Sequence, residues 1–230
     1  MPKFISAGYN LLLFDQRGHG HSSVPDPPRC TMAELADDIA LLLDYFGVDK
    51  AHAVIGVSQG GAAALQFAIR HPGRTTRVVA CDTQAKSPEA NVKAWDDRID
   101  LAKKDGMHAL ATATANRWFP ANSAYHSNQS LVNLVLDMIV STPLLGFEAG
   151  ARALQDYDFL ADGLFKSKLK TLLVVGEKDG MLPQGLKLLR QDWLKEGGDV
   201  EFVEIDKAGH LPMVDESEKW LEFVVKFLKA

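Results

Sequence analysis

The 230-residue sequence has few cysteines and no long apolar run. Two cysteines, Cys30 and Cys81, are too few for the disulfide framework of a small secreted domain, so we expect a reducing, cytoplasmic environment. No stretch approaches the roughly 18 apolar residues of a membrane span, and none resembles the apolar segment of a signal peptide. We therefore expect no association with a membrane.

Clustered positive charge is also missing. Lys and Arg form no dense run and the formal net charge is -5, which argues against a nucleic-acid partner. Hydrophobic residues make up 47% of the chain, enough for one globular domain with a sizeable core. We expect a small-molecule substrate and no cofactor, and a homo-oligomer is left open.

Five apolar runs have the length of strands. They are rich in Val, Leu and Ile with little alternation, which is typical of a parallel sheet covered on both faces. Helical patterns separate them, so the predicted class is α/β, a mostly parallel sheet flanked by helices. The runs are Asn10–Phe14, Ala51–Ile55, Arg77–Cys81, Thr171–Val175 and Val200–Ile205.

The helical patterns divide the chain. Thr31 and Glu34 form a capping-box pair, apolar residues follow at helical spacing, and Gly47 lies where a helix would end. Between Cys81 and Lys170 the strand signal is replaced by helix-like segments. We predict a core of residues 1–82 and 166–230, with residues 83–165 inserted as a helical lid.

The strongest local motif is Gly56-Val57-Ser58-Gln59-Gly60, between an apolar strand and a helix. A serine at a sharp strand-to-helix turn adopts a strained backbone and exposes its hydroxyl, and small residues two positions before and after it avoid clashes. The start of the helix directs backbone N–H groups at an oxyanion. Ser58 is the predicted nucleophile, and the Gln59 N–H is a predicted oxyanion donor.

A serine hydroxyl needs a base and the base needs an acid. His210 follows the last predicted strand, at the same sheet edge as Ser58, and is the predicted base. Asp179, which follows the strand Thr171–Val175, is the preferred acid, giving the order Ser, Asp, His. Glu177 in the same loop and Asp82 after another strand remain alternatives.

A second pair of histidines lies in a glycine-rich loop after the first predicted strand. His19 and His21 suggest a metal pair, but no third ligand stands at a useful spacing. A structural turn is therefore the preferred interpretation, and we predict no metal site.

Taken together, the motif around Ser58, the loop from Asp15 to Ser22, the Asp179 loop and Gly209-His210 resemble the α/β-hydrolase superfamily. The resemblance implies a catalytic triad of Ser58, Asp179 and His210. A narrower similarity to 3-oxoadipate enol-lactonases comes from three stretches: Cys81-Asp82-Thr83, Trp95 with Arg98, and Arg117-Trp118-Phe119-Pro120.

The narrower similarity implies hydrolysis of an ester or lactone bond in a small, carboxylate-bearing substrate through an acyl-enzyme. Arg117 beside Trp118 is then the candidate site for the substrate carboxylate. A solvated helix arginine beside a packed tryptophan remains an equal interpretation of the same residues.

One departure from the superfamily pattern matters for activity. Members have further strands before the one predicted at Asn10–Phe14, and a loop between them that donates a second oxyanion N–H; no segment here matches either. Loss of one such donor costs on the order of 100- to 1000-fold in rate. We therefore hypothesise a longer, N-terminally extended native chain, and the alternative function is a catalytically impaired hydrolase that binds a small molecule or a partner.

Overall fold

The computed structural model describes residues 2–230 as a parallel sheet between two layers of helices. Its strands are β1 (Val54–Val57), β2 (Arg77–Cys81), β3 (Lys170–Gly176) and β4 (Val200–Ile205). The helices are α1 (Pro2–Ser6), α2 (Met32–Tyr45), α3 (Gln59–Arg70), α4 (Glu89–Trp118), α5 (Gln129–Val140), α6 (Leu144–Ala153), α7 (Leu182–Lys195), α8 (Pro212–Asp215) and α9 (Ser217–Lys229). Short 3-10 helices cover Ala124–Ser127 and Leu164–Lys166.

The four strands follow one another in the order β1-β2-β3-β4, and every pair is parallel. Val57 lies opposite Cys81, and Cys81 lies opposite Val174. Because all four strands run the same way, the segments that follow them emerge at one edge of the sheet. The predicted α/β class is confirmed, and this edge is where the predicted site residues belong.

Both faces of the sheet are covered, which explains the unbroken apolar runs. Ala80 of β2 and Leu173 of β3 face a core built with α2, α3 and α7. Cys81 and Leu172, one position along each strand, face a second core built with α1 and α9. Successive side chains point to opposite faces, so a strand buried on both sides needs apolar residues at every position.

Two predicted local signals are confirmed. Thr31 caps α2: its hydroxyl accepts the Glu34 N–H, and the Glu34 carboxylate accepts the Thr31 N–H at 2.8 Å. Gly47, just past the helix, has a φ of 66°, in the left-handed region that glycine adopts without strain.

The predicted strand Asn10–Phe14 is wrong. Within residues 2–230 this segment pairs with no strand, and its apolar side chains are exposed, Leu13 to 64%. An apolar run becomes a strand only where a neighbour supplies a ladder of hydrogen bonds, and residues 12–14 line a cavity together with Val54 and Ile55 of β1 instead of forming such a ladder. The predicted strand Ala51–Ile55 is also displaced: β1 covers Val54–Val57, and Ala51 forms only an isolated bridge to Thr75.

Helices α4 to α6 fill the chain between β2 and β3. Gly106, with a φ of 84°, breaks α4, and Arg152 of α6 is joined to α4 by an ion pair with Asp96. A Cβ on Gly146 of α6 would lie 1.7 Å from the carbonyl oxygen of Gly18, so the loop before α2 touches this helix directly. The division into core and lid stays a prediction.

In the part of the chain that the structure describes, no single helix is long and apolar enough to span a membrane. By length and composition alone, the bent pair α5 and α6 would suffice.

Candidate active site

Ser58 occupies the sharp turn between β1 and α3. Its φ of 54° and ψ of -119° are unusual for a residue with a side chain, and its N–H donates to the Cys81 carbonyl at 2.8 Å. A Cβ on Gly56 would lie 2.1 Å from the Gly60 carbonyl, so glycine is required there. A Cβ on Gly60 would meet nothing within 4 Å, so the prediction that this position requires a small residue is wrong. The second crowded glycine is Gly61, where a Cβ would lie 2.9 Å from the Cys81 carbonyl oxygen.

Gln59 begins α3, so its N–H belongs to the first helical turn, which has no partner inside the helix. Its side chain is held at both ends: Oε1 accepts from Gln16 Nε2, and Nε2 donates to the Gly150 carbonyl, both at 2.6 Å. Through these two contacts Gln59, which directly follows Ser58, connects the loop before α2 with helix α6. Sequence reasoning missed this bridge because a single glutamine carries no signal of its partners.

The His210 loop is fixed by three hydrogen bonds. The His210 N–H donates to the Trp118 carbonyl at 2.8 Å, and the Gly209 N–H donates to Asp215 Oδ2 at 2.8 Å. The other Asp215 oxygen accepts from the Ser123 hydroxyl. A Cβ on Gly209 would lie 2.1 Å from the Trp118 carbonyl, so only glycine allows the loop this close to the end of α4.

Asp179 is the carboxylate that contacts His210. Its Oδ2 lies 2.6 Å from His210 Nδ1, and both side chains are largely buried. Glu177, the rival in the same loop, is exposed and accepts from the Lys207 N–H at 2.9 Å. The geometry therefore favours Asp179 over Glu177 as the partner of His210.

Asp82, the second rival, lies beside this pair rather than outside it. Asp82, Asp179 and His210 each have one possible ligand atom within 4.8 Å of those of the other two residues, a spacing that would suit a metal ion. His210 Nδ1 and Asp179 Oδ2 already bind each other, so a metal held by these atoms would have to replace that hydrogen bond. The catalytic assignment of Ser58, Asp179 and His210 stays a prediction.

Trp118 lies against the imidazole. The two rings stack with centroids 5.8 Å apart and planes 25° apart, and Trp118 Nε1 is buried without a hydrogen-bond partner in residues 2–230. Stacking restrains the plane of the His210 ring. The structure therefore brings Trp118 to the predicted base.

Arg117, one residue before Trp118, lies close enough to Arg98 and Asp179 to feel both charges. Arg117 as a whole residue is exposed. Its pKa is lowered to about 10, first because surrounding atoms partly remove the guanidinium from water and then because of the charge of Arg98; the charge of Asp179 opposes this shift. Within residues 2–230 no carboxylate lies within ion-pairing distance of either guanidinium, and Arg98 stacks 4.3 Å above Trp95.

The glycine-rich loop with His19 and His21 forms a turn anchored to α2. Arg17 donates two hydrogen bonds to Asp38, at 2.7 and 2.6 Å, and the His21 N–H donates to Asp15 at 3.0 Å. Burial lowers the pKa of His19, whose ring nitrogen lies 3.2 Å from the Arg17 carbonyl. These contacts agree with the structural interpretation of the loop.

Nearly the whole chain is similar to known proteins. A family described as alpha/beta hydrolase fold matches residues 1–217. A 3-oxoadipate enol-lactonase 1 from Acinetobacter baylyi is 25% identical over 226 residues, which cover 98% of this chain and 81% of the relative. The predicted resemblance to this group is confirmed.

Two solved structures are similar over 94% of the chain. An enol-lactonase from Burkholderia xenovorans has 28% identity and a TM-score of 0.83, and 79% of its chain is covered. A thermophilic esterase from Thermogutta terrifontis, solved with malate bound, has 27% identity and a TM-score of 0.81, with 78% covered. The similar proteins are hydrolases with different substrates.

Proposed function

Because this chain belongs to the alpha/beta hydrolase fold family, we propose that it is a serine hydrolase that cleaves an ester or lactone bond in a small, carboxylate-bearing molecule. The observation that carries the proposal is the 2.6 Å contact between His210 Nδ1 and Asp179 Oδ2 at the sheet edge where Ser58 sits in its strained turn. An imidazole oriented by a buried carboxylate is the base that a serine nucleophile needs.

In the proposed reaction, Ser58 Oγ attacks the carbonyl carbon and His210 Nε2 takes the hydroxyl proton. The Gln59 N–H stabilises the negative charge that develops on the carbonyl oxygen. His210 then protonates the leaving oxygen, and a water deprotonated by His210 releases the acyl group from Ser58. For a lactone the leaving oxygen stays attached to the acyl group, so one product forms.

The hydrogen bonds of residues 2–230 include none between Ser58 Oγ and His210. Catalytic hydrogen bonds are often long before substrate binds and shorten in the reacting complex. The proposal therefore requires that substrate binding or a side-chain rotation bring these two groups together.

The substrate carboxylate is assigned to Arg117 and Arg98. The charge of Arg98 lowers the pKa of Arg117, so the two guanidinium groups are close, and no carboxylate in residues 2–230 forms an ion pair with either of them. A bound carboxylate would relieve that repulsion and accept paired hydrogen bonds from a guanidinium. The malate bound to the similar esterase is also a carboxylate.

Two matched esters test the proposal: p-nitrophenyl acetate, which is neutral, and the p-nitrophenyl hemiester of succinate, which carries a free carboxylate. We expect turnover of both by the unaltered chain and none above background by Ser58→Ala. Arg117→Gln should raise KM for the hemiester about tenfold, equivalent to about 1.4 kcal/mol, and leave KM for the acetate unchanged.

Lys104→Gln is the matched control, because Lys104 is an exposed cation on the same helix. It should change neither KM. Equal rates for the unaltered chain and Ser58→Ala would refute the hydrolase, and equal effects of Arg117→Gln on both esters would refute the carboxylate site.

A second candidate is a protein that binds a small molecule at this site without turnover. The missing hydrogen bond to Ser58 Oγ and the single assigned oxyanion donor favour it. Binding of succinate by calorimetry, together with no hydrolysis of either ester, would select this function over the first.

A further inference from the structure

Asp82 is a buried carboxyl at the end of β2 that the proposed reaction leaves without a role. Its side chain is 1% exposed and its backbone has a φ of 47°, a left-handed conformation that is uncommon outside glycine. The Asp82 N–H donates to the Val174 carbonyl at 2.9 Å, and Oδ1 accepts the Gly176 N–H at 2.9 Å. Both restraints direct the carboxyl toward the loop that carries Asp179.

The second carboxyl oxygen of Asp82 accepts no hydrogen bond from residues 2–230. Oδ2 is buried and lacks a hydrogen-bond donor among residues 2–230. The titratable groups that face this carboxyl are Asp179 and Asp215, which bring negative charge, His210, and the Cys81 thiol next in sequence. An ionised carboxylate there would be desolvated, half unpaired and close to other carboxylates.

A proton on Asp82 removes these penalties. Burial raises the pKa of Asp82 well above its ordinary range, the charges of Asp179 and Asp215 raise it further, and the Gly176 N–H opposes the change. The neutral acid has an O–H that needs an acceptor, and a carboxylate oxygen of Asp179 lies within 4.8 Å of an Asp82 oxygen. The two carboxyls then carry one negative charge between them.

We propose that Asp82 is a positioning residue that donates a hydrogen bond from its protonated carboxyl to Asp179 and so holds Asp179 against His210. One oxygen of Asp179 binds His210 Nδ1, and the other accepts the Asp82 proton. A carboxylate fixed at both oxygens cannot rotate away from the imidazole when Ser58 gives up its proton. The proposal rests on the hydrolase function, in which Asp179 and His210 act as a pair.

Infrared spectroscopy tests the proton directly. The C=O stretch of a protonated carboxyl is resolved from that of carboxylates, so the unaltered chain at pH 7 should show a band that Asp82→Asn lacks. Asp105→Asn, which removes an exposed carboxyl, should keep the band. Identical spectra for the unaltered chain and Asp82→Asn would overturn the proposal.

Kinetics test the positioning role. Asp82→Ala should lower kcat about tenfold or more with little change in KM, because the carboxylate it no longer holds acts in the proton transfer rather than in binding. Asp82→Asn can accept from Gly176 and donate to Asp179, so it should recover most of that loss. Equal losses in both variants would overturn the proposal, and so would full kcat in Asp82→Ala.

The infrared and kinetic measurements distinguish a failure of the hydrolase proposal from a failure of the Asp82 proposal. If the unaltered chain is no faster than Ser58→Ala, the hydrolase proposal fails, while the infrared band still decides whether Asp82 is protonated. If Asp82→Ala does not fold, the infrared comparison of the unaltered chain with Asp82→Asn still decides whether Asp82 holds a proton. A missing band in an active enzyme overturns the positioning role alone.

Discussion

A protonated Asp82 has a measurable effect on stability, which Asp82→Asn isolates. The unfolded chain releases the Asp82 proton near the ordinary aspartate pKa of about 3.9, whereas burial and the neighbouring carboxylates keep the proton on in the folded protein. The unfolded state therefore binds fewer protons across the pH range between those two pKa values. Stability that depends on this group is fully present below about pH 3.9 and is lost as pH rises toward the folded pKa.

The size of the effect follows from proton linkage. One proton difference changes the free energy of unfolding by about 1.4 kcal/mol per pH unit, so the unaltered chain should lose about 3 kcal/mol relative to Asp82→Asn over two pH units inside that window. With an m-value near 3 kcal/mol/M, the difference between their urea midpoints should grow by about 0.5 M per pH unit. The growth ends at the folded pKa of Asp82, so the curve also measures that pKa.

Urea titrations of the unaltered chain, Asp82→Asn and Asp105→Asn at several pH values between 4 and 9 test this expectation. Any constant cost of placing an amide at residue 82 cancels, because only the slope is used. Asp105→Asn should run parallel to the unaltered chain, since its carboxyl is exposed. A pH-independent difference between Asp82→Asn and the unaltered chain would refute a proton held on Asp82.

Two further predictions concern the His210 loop. Gly209→Ala places a Cβ 2.1 Å from the Trp118 carbonyl. We therefore expect kcat/KM to fall at least tenfold and the free energy of unfolding in urea to fall by about 1–3 kcal/mol. Gly185→Ala, where the added Cβ meets open space, is the control, and equal activity in the two variants would contradict this expectation. Asp215→Ala leaves the Gly209 N–H and the Ser123 hydroxyl without their acceptor. We expect unfolding to become easier by about 1–3 kcal/mol, and an unchanged urea midpoint would show that the carboxylate does not hold the loop.

Several elements could be predicted because their signals are local. The capping pair Thr31 and Glu34 needs only three residues of spacing, and Gly56 meets a steric need within the turn that carries Ser58. The buried strands β2 and β3 were recognisable because each is covered on both faces and is therefore apolar at nearly every position, whereas β4, which carries Glu201 and Glu204, was recognisable from its Val, Phe and Ile residues. Local rules sufficed for the fold class.

The error at Asn10–Phe14 has a different origin. An apolar run shows that a segment avoids water, but a strand also needs a partner with free backbone groups, and that partner is not encoded in the segment. β1 leaves one edge unpaired, yet the segment 10–14 forms no ladder with it, and Leu13 stays exposed.

The chemistry around the predicted site was only partly readable. Asp179 and His210 follow strands, so topology alone brings them to one edge of the sheet. The approach of Asp82 to Asp179 joins residues from separate elements with no shared motif, and the approach of Arg98 to Arg117 joins the two parts of α4 on either side of the break at Gly106. Such contacts depend on the packing of α4 and on the register of β2 against β3, neither of which a single sequence specifies.

The most direct test of the central claim is covalent labelling of Ser58. Intact mass spectrometry after treatment with a fluorophosphonate should show one adduct per chain, peptide mapping should place it on residue 58, and Ser58→Ala should remain unlabelled. An adduct that persists in Ser58→Ala, or no adduct on the unaltered chain at high reagent concentration, would contradict the assignment of Ser58 as an activated nucleophile.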